Sequence, residues 1–297
     1  MRATMLLTNR DSVNLAQLRD YLVGVLSTGQ AEIINEVLYV DGTNGNAAYD
    51  GKRPDRAFKT ITQAYAVAAA YDVIAVFPGT YAEHIAWTGS NVTLLGLGSK
   101  PKDVHILDAT AGVTTAMLAI VGSNNVVSNL RIGNGHANCV ANLSLLGSDN
   151  LVEGCEFVKY AAVANDVGVE LIGPATNLNN EIRNCLFNGC TNGVIFTADT
   201  TQAKDQIIRG CTFKNGVTTD IFDVTDVAVD GLLVDSCVFL GTPTKFIEID
   251  SAACAGGLLT RCVFNVATFA PGTVDIDNGI IPVNCHTLAG ENIAVPT

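Results

Sequence analysis

The sequence predicts an all-β solenoid, and three observations carry that prediction. First, a Cys-x-Phe unit returns at a near-constant interval: Cys155 with Phe157, Cys185 with Phe187, Cys211 with Phe213, Cys237 with Phe239, and Cys262 with Phe264. The steps between these cysteines are 30, 26, 26 and 25 residues, the spacing of one supersecondary unit stacked on the next. Second, from Val73 onward the chain is a series of short β-rich runs broken by Gly, Asn and Asp, the punctuation of strands and tight turns. Third, 48% of the 297 residues are hydrophobic and only 15% are charged, which supplies a long dry core.

The first 37 residues stand apart from the repeat. Asp11 and Ser12 are suited to cap a helix whose apolar residues Leu15, Leu18, Leu22, Val25 and Leu26 fall at i, i+3, i+7, i+10 and i+11. Gly29 is a natural stop. Such a stripe has to be buried. Two readings stand: a helix folded back on its own domain, or an attachment and oligomerisation element. Residues 38–72 read as the solenoid's cap. Leu38, Tyr39 and Val40 form a strand, 41–51 is polar and glycine-rich, and Thr60-Ile61-Thr62-Gln63 is a capping box. That box opens a helix carrying Ile61, Ala64, Tyr65 and Ala68 on one face, followed by a strand over 73–77 and a turn at Pro78-Gly79-Thr80.

Residues 40–85, VDGTNGNAAYDGKRPDRAFKTITQAYAVAAAYDVIAVFPGTYAEHI, resemble the opening of right-handed parallel β-helix proteins of the pectate-lyase-like superfamily. The resemblance implies that an amphipathic helix plugs the N-terminal end and that the PGTY-x-E strand begins the first coil. It also implies a right-handed parallel β-helix of about eight coils over 73–285, with a C-terminal tail over 286–297. At ~4.8 Å per strand such a rod is roughly 35–40 Å long. Runs at 91–97 and 125–132 read as less regular coils, with Leu130 and Ile132 standing where later coils have Cys and Phe, and Cys285 marks a last one. Alternation places Cys and Phe on one inward face. Asn129, Asn150 and Asn184 suit the turns.

Bulk properties exclude several classes. No apolar run approaches the ~20 residues of a membrane span, and residues 1–10 lack the pattern of a secretory signal. A net charge of −12 disfavours both nucleic acid and anionic lipid, which need a cationic surface. Nine cysteines, most at equivalent positions and without CxxC spacing, read as buried free thiols assembled in a reducing cytoplasm.

Enzymes of the superfamily work on acidic or complex polysaccharides from the outside of the coils. The candidate acids are Asp223, Glu248 and Asp275, taken to align in three consecutive coils and to point outward, with neighbouring carboxylates about 5 Å apart. Three readings apply: a solvated or interfacial acidic face, a Ca²⁺ site, or a catalytic pair. No Lys or Arg is expected within those strands. The four histidines are scattered, Glu83 reads as a support for the first coil, and Trp87 with Tyr81 is the one aromatic pair available for sugar stacking. The function expected from the residues and the resemblance is that of a non-enzymatic structural protein of a bacteriophage virion. The form that fits is a homotrimeric head-decoration protein without cofactor, anchored through residues 1–37 to the major capsid or another virion protein. The alternative is a tailspike-like polysaccharide lyase or glycoside hydrolase acting on a host surface glycan through the outward acids.

Overall fold

The computed structural model describes residues 34–108, 116–134, 139, 141–159, 166–173, 177–198, 203–216, 218–223, 229–249, 256–266, 274–276 and 280–292. The stripe Leu15, Leu18, Leu22, Val25 and Leu26 lies outside them. Each full coil gives one strand to each of three parallel sheets. The first sheet has ten strands, from Val37–Val40 to Ile280–Val283, and the second has nine, from Gly79–Tyr81 to His286–Thr287. The third has eight, from Ile85–Trp87 to Val274–Ile276. The molecule is therefore the solenoid the repeat predicts and the parallel β-helix the resemblance implies; among the described residues its three main sheets have ten, nine and eight strands, and a fourth has three, rather than a uniform eight.

The Cys-x-Phe unit sits where the chain turns from the first sheet into the second. At that corner one residue adopts a left-handed conformation in each coil: Asn129, Gly154, Asn184, Gly210, Ser236, Arg261 and Asn284, with φ of 54–62°. Gly and Asn enter this region readily, whereas Ser236 and Arg261 carry a backbone cost of roughly 1 kcal/mol. The next residue is the cysteine. In six successive coils, Cys155 to Cys285, its thiol donates to the carbonyl two residues upstream over 3.3–3.5 Å. A small apolar side chain with a weak donor meets both needs of this corner. All six are buried and free.

Two residues on, the phenyl rings stack. Phe157, Phe187, Phe213, Phe239 and Phe264 form one column with centroids 5.0, 4.7, 4.8 and 4.6 Å apart. Ile132 pairs with Phe157 and Thr287 with Phe264, so the less regular coils hold the same row. Leu130 and Cys285 extend the thiol row as expected. Asn129 and Asn184 are the left-handed residues of their turns, whereas Asn150 follows one. It belongs to a buried ladder in which Asn125 Oδ1 accepts from Val92 N (3.0 Å), Asn150 Oδ1 from Asn125 N (2.9 Å) and Asn180 Oδ1 from Asn150 N (2.8 Å). The left-handed residue of that coil is its neighbour Asp149, φ 57°. Buried turn amides need acceptors, and a side-chain amide in the coil below supplies one.

The N-terminal end is closed by the helix α1 (Ile61–Val67), which buries Ile61 and Ala64 in the main core with Val40 and Ile74. Its capping box forms as the sequence predicts. Glu83 adds a second cap from the first coil, accepting from Ile61 N (2.8 Å), Thr62 N (2.8 Å) and the Thr62 hydroxyl (2.6 Å). Its supporting role is thus a carboxylate at a helix N-terminus.

Candidate functional site

The outer face of the third sheet is the surface on which the candidate acids fall, and its register decides which of them meet. One outward row runs Ala86, Ala119, Ser144, Glu170, Ile195, Phe222, Glu248, Asp275 through consecutive pairings. Glu248 and Asp275 are direct neighbours, as expected. Asp223 is not in this row. Phe222 pairs with Glu248, and the Asp223 backbone pairs with Phe196, in a row otherwise made of Trp87, Ile120, Leu145, Leu171, Ile249 and Ile276. The expected three-acid alignment is therefore off by one residue, and a one-residue slip exchanges the two faces of a strand.

A second correction concerns charge. Lys245 opens the strand Lys245–Ile249 and lies within the cluster. Its ammonium donates to Glu248 Oε1 at 2.5 Å and to Asp275 Oδ2 at 3.0 Å. The hydrogen bond to Glu248 holds the lysine above its ordinary pKa; partial burial opposes this and the bond to Asp275 reinforces it. The two carboxylates are thus bridged by a cation belonging to the protein. Among the described residues, no group of three or more His, Cys, Asp or Glu gathers as a metal-ligand set. Higher in the same row, Glu170 accepts from the hydroxyls of Ser144 (2.9 Å) and Thr197 (3.0 Å). Two register positions, those of Ile195 and Phe222, lie between it and the lower acids.

The aromatic pair is equally unavailable. Trp87 is 1% exposed and Tyr81 3% exposed. Trp87 stacks on Tyr65 at 4.3 Å, and the Tyr81 hydroxyl donates to Phe77 O at 2.7 Å. Both rings are buried in the first coil. Of the described histidines, His105 is held neutral, lowered to about 4 by burial and by the nearby Arg131.

Sequence reasoning missed two buried acids, Asp166 and Asp220, at the corner between the second and third sheets. Alternation from Ile221 would turn Asp220 outward. At this corner, however, the row Asn142, Gly168, Gly193, Asp220, Phe246 also faces the core: a Cβ on Gly193 would lie 2.7 Å from the Phe213 ring, and Phe246 packs edge-on against Phe239. Burial pushes Asp166 up to about 7, with Lys159 acting the other way, and pushes Asp220 up to about 8. Neither Asp166 oxygen has a hydrogen-bond partner, nor does Oδ2 of Asp220. Between them Cys190 is raised by its own burial and then by the two acids. A local break in strand alternation leaves no mark in composition, so only the fold reveals it.

No family model and no curated protein sequence matches the chain. Solved structures do. A pectin methylesterase from Aspergillus niger superposes with a TM-score of 0.55 at 16% identity, over 89% of this chain and 91% of that one. The pectin methylesterase from carrot gives 0.58 at 13%, over 87% and 85%. A rhamnogalacturonan lyase gives 0.59 at 12%, over 86% and 75%. These are right-handed parallel β-helices, and at such identities the likeness shows the fold alone.

Proposed function

We propose that this protein is a non-enzymatic structural subunit, a rigid β-helical rod within a larger particle, of the kind that decorates a bacteriophage head. One observation carries the reading: Lys245 holds Glu248 and Asp275, the adjacent outward acids that a polysaccharide-cleaving enzyme of this fold would need free. The slip of Asp223 out of their row and the burial of Trp87 and Tyr81 point the same way. Attachment falls to residues 1–37, with self-association as a trimer. The test is fractionation: the native protein travels with intact virions at a fixed copy number, and deleting residues 1–33, short of the first strand Val37–Val40, leaves a folded rod that no longer attaches. A truncated protein that still assembles overturns the anchoring role. Recovery of the native protein free of particles overturns the reading as a whole.

A second reading rests on the fold neighbours, which are pectin-directed enzymes. It makes this chain a polysaccharide lyase or hydrolase acting through Glu248 and Asp275. Release of reducing or unsaturated ends from pectic or capsular polymers, abolished by Glu248→Gln, would establish it in place of the first.

A further inference from the structure

The first sheet has a second apolar cluster on the side facing away from the solenoid interior. Leu38, Val40, Ile74, Val76 and Leu94 point into the main core. Their alternating neighbours Val73, Ala75, Phe77, Leu95 and Leu97 therefore point outward. These outward side chains are nevertheless 0–5% exposed. Among the described residues, the apolar side chains packed on them are Ile34, Val37 and Tyr39. The Tyr39 phenol is raised by burial, which marks this outer surface as desolvated. An apolar patch of this kind on a sheet's outer face requires a cover.

We propose that the cover is the N-terminal segment of the same chain, with the stripe Leu15, Leu18, Leu22, Val25 and Leu26 seated on Val73, Ala75, Leu95 and Leu97. The chain enters the described structure at Ile34, whose side chain already lies in the cluster. Residues 27–33 reach up to ~23 Å when extended. A helix over 12–26 is ~22 Å long, which spans the ~14 Å across the sheet's first four strands. The stripe supplies the leucines this face needs and places Gln17 and Asp20 on its opposite side. The inference goes beyond the structural-subunit reading: it assigns the leucines to the protein's own rod and leaves the polar side of the segment for a partner.

The experiment uses the full-length chain carrying Leu95→Cys, with maleimide labelling as the readout and the buried thiols Cys155, Cys185, Cys211, Cys237 and Cys262 as an internal gauge of folding. Leu95→Cys is expected to be protected, and to lose that protection in the Leu18→Asp/Leu22→Asp background while the core thiols stay unreactive. Unchanged protection in that background overturns the proposal. Should the double aspartate variant unfold and expose the core thiols, the pair Leu22→Cys/Leu95→Cys decides instead. An oxidised cross-link within one chain supports the proposal; a cross-link only between differently sized chains, or none, overturns it.

Discussion

Phe213→Ala tests the central physical claim, that the stacked rings hold the coils together. Phe213 is fully buried, with Phe187 at 4.7 Å and 5° on one side and Phe239 at 4.8 Å and 6° on the other. Truncating a buried phenylalanine to alanine costs about 3–5 kcal/mol. The backbone around Phe213 is pinned by parallel pairing on both sides, so the vacated volume has little freedom to collapse. The upper end, about 4–5 kcal/mol, is therefore expected. Phe213→Leu keeps most of the volume and loses two ring pairs worth about 0.5–1.5 kcal/mol each, so it should cost roughly 1–3 kcal/mol. Guanidinium unfolding followed by far-UV circular dichroism reads both losses as midpoint shifts at constant slope. Because each coil contacts only its neighbours, a loss this large also appears as a separate early transition if the stack splits at that coil. A cost below about 2 kcal/mol for Phe213→Ala, or equal costs for Ala and Leu, would refute the stacking argument.

Gly193→Ala should destabilise although it adds only a methyl group: the new Cβ meets Asp220 O at 2.5 Å and the Phe213 ring at 2.7 Å, and a melting temperature within a degree or two of the parent would contradict that packing. The folded chain keeps protons on Asp166 and Asp220 that the unfolded chain releases above its ordinary carboxylate pKa. Stability therefore falls as pH rises from about 4 through about 7 and about 8, then levels. The Asp166→Asn/Asp220→Asn variant should flatten that decline in melts taken from pH 5 to 9; an unchanged slope counts against the buried acids as its source. Lys245→Ala should cost no more than about 1 kcal/mol, because the triad is partly solvated, and the difference from the parent should shrink in 1 M salt. Finally, Cys155, Cys185, Cys211, Cys237, Cys262 and Cys285 are all buried, so the thiol row should resist aromatic disulfide reagents until the chain unfolds; fast labelling in native buffer would place those sulfurs elsewhere.

The inner rows were legible in the sequence because stacking leaves them little choice. A residue that touches its own equivalent above and below is selected for self-complementarity, so Cys and Phe recur, and Leu130 and Ile132 are recognisable as earlier members of the same rows. The cap was legible for a different reason: a capping box is a local signal, and Thr60 with Gln63 forms one wherever the helix packs. Glu83 was legible only as a support, since its partners, Ile61 and Thr62, lie some twenty residues upstream. The corner before the third sheet was not legible at all. There, consecutive residues both face inward, so counting by twos from Ile221 gives the wrong side for Asp220.

The outer acids failed for the reverse of the reason the inner rows succeeded. Ser144, Glu170, Ile195, Phe222, Glu248 and Asp275 occupy one row, and no single residue type repeats along it as Cys and Phe do inside. Water accepts almost any side chain, and outward positions do not constrain one another as stacked rings do. Aligning Asp223 with Glu248 by residue type therefore had nothing to correct it, whereas aligning on the flanking core would have. Ile221, Ile247 and Val274 stand in one inward row, which puts Phe222, Glu248 and Asp275 in the next. In a stacked-coil protein any chemistry shared between coils has to be read outward from the inner rows. By that rule the face carries two adjacent acids, Glu248 and Asp275, bridged by Lys245.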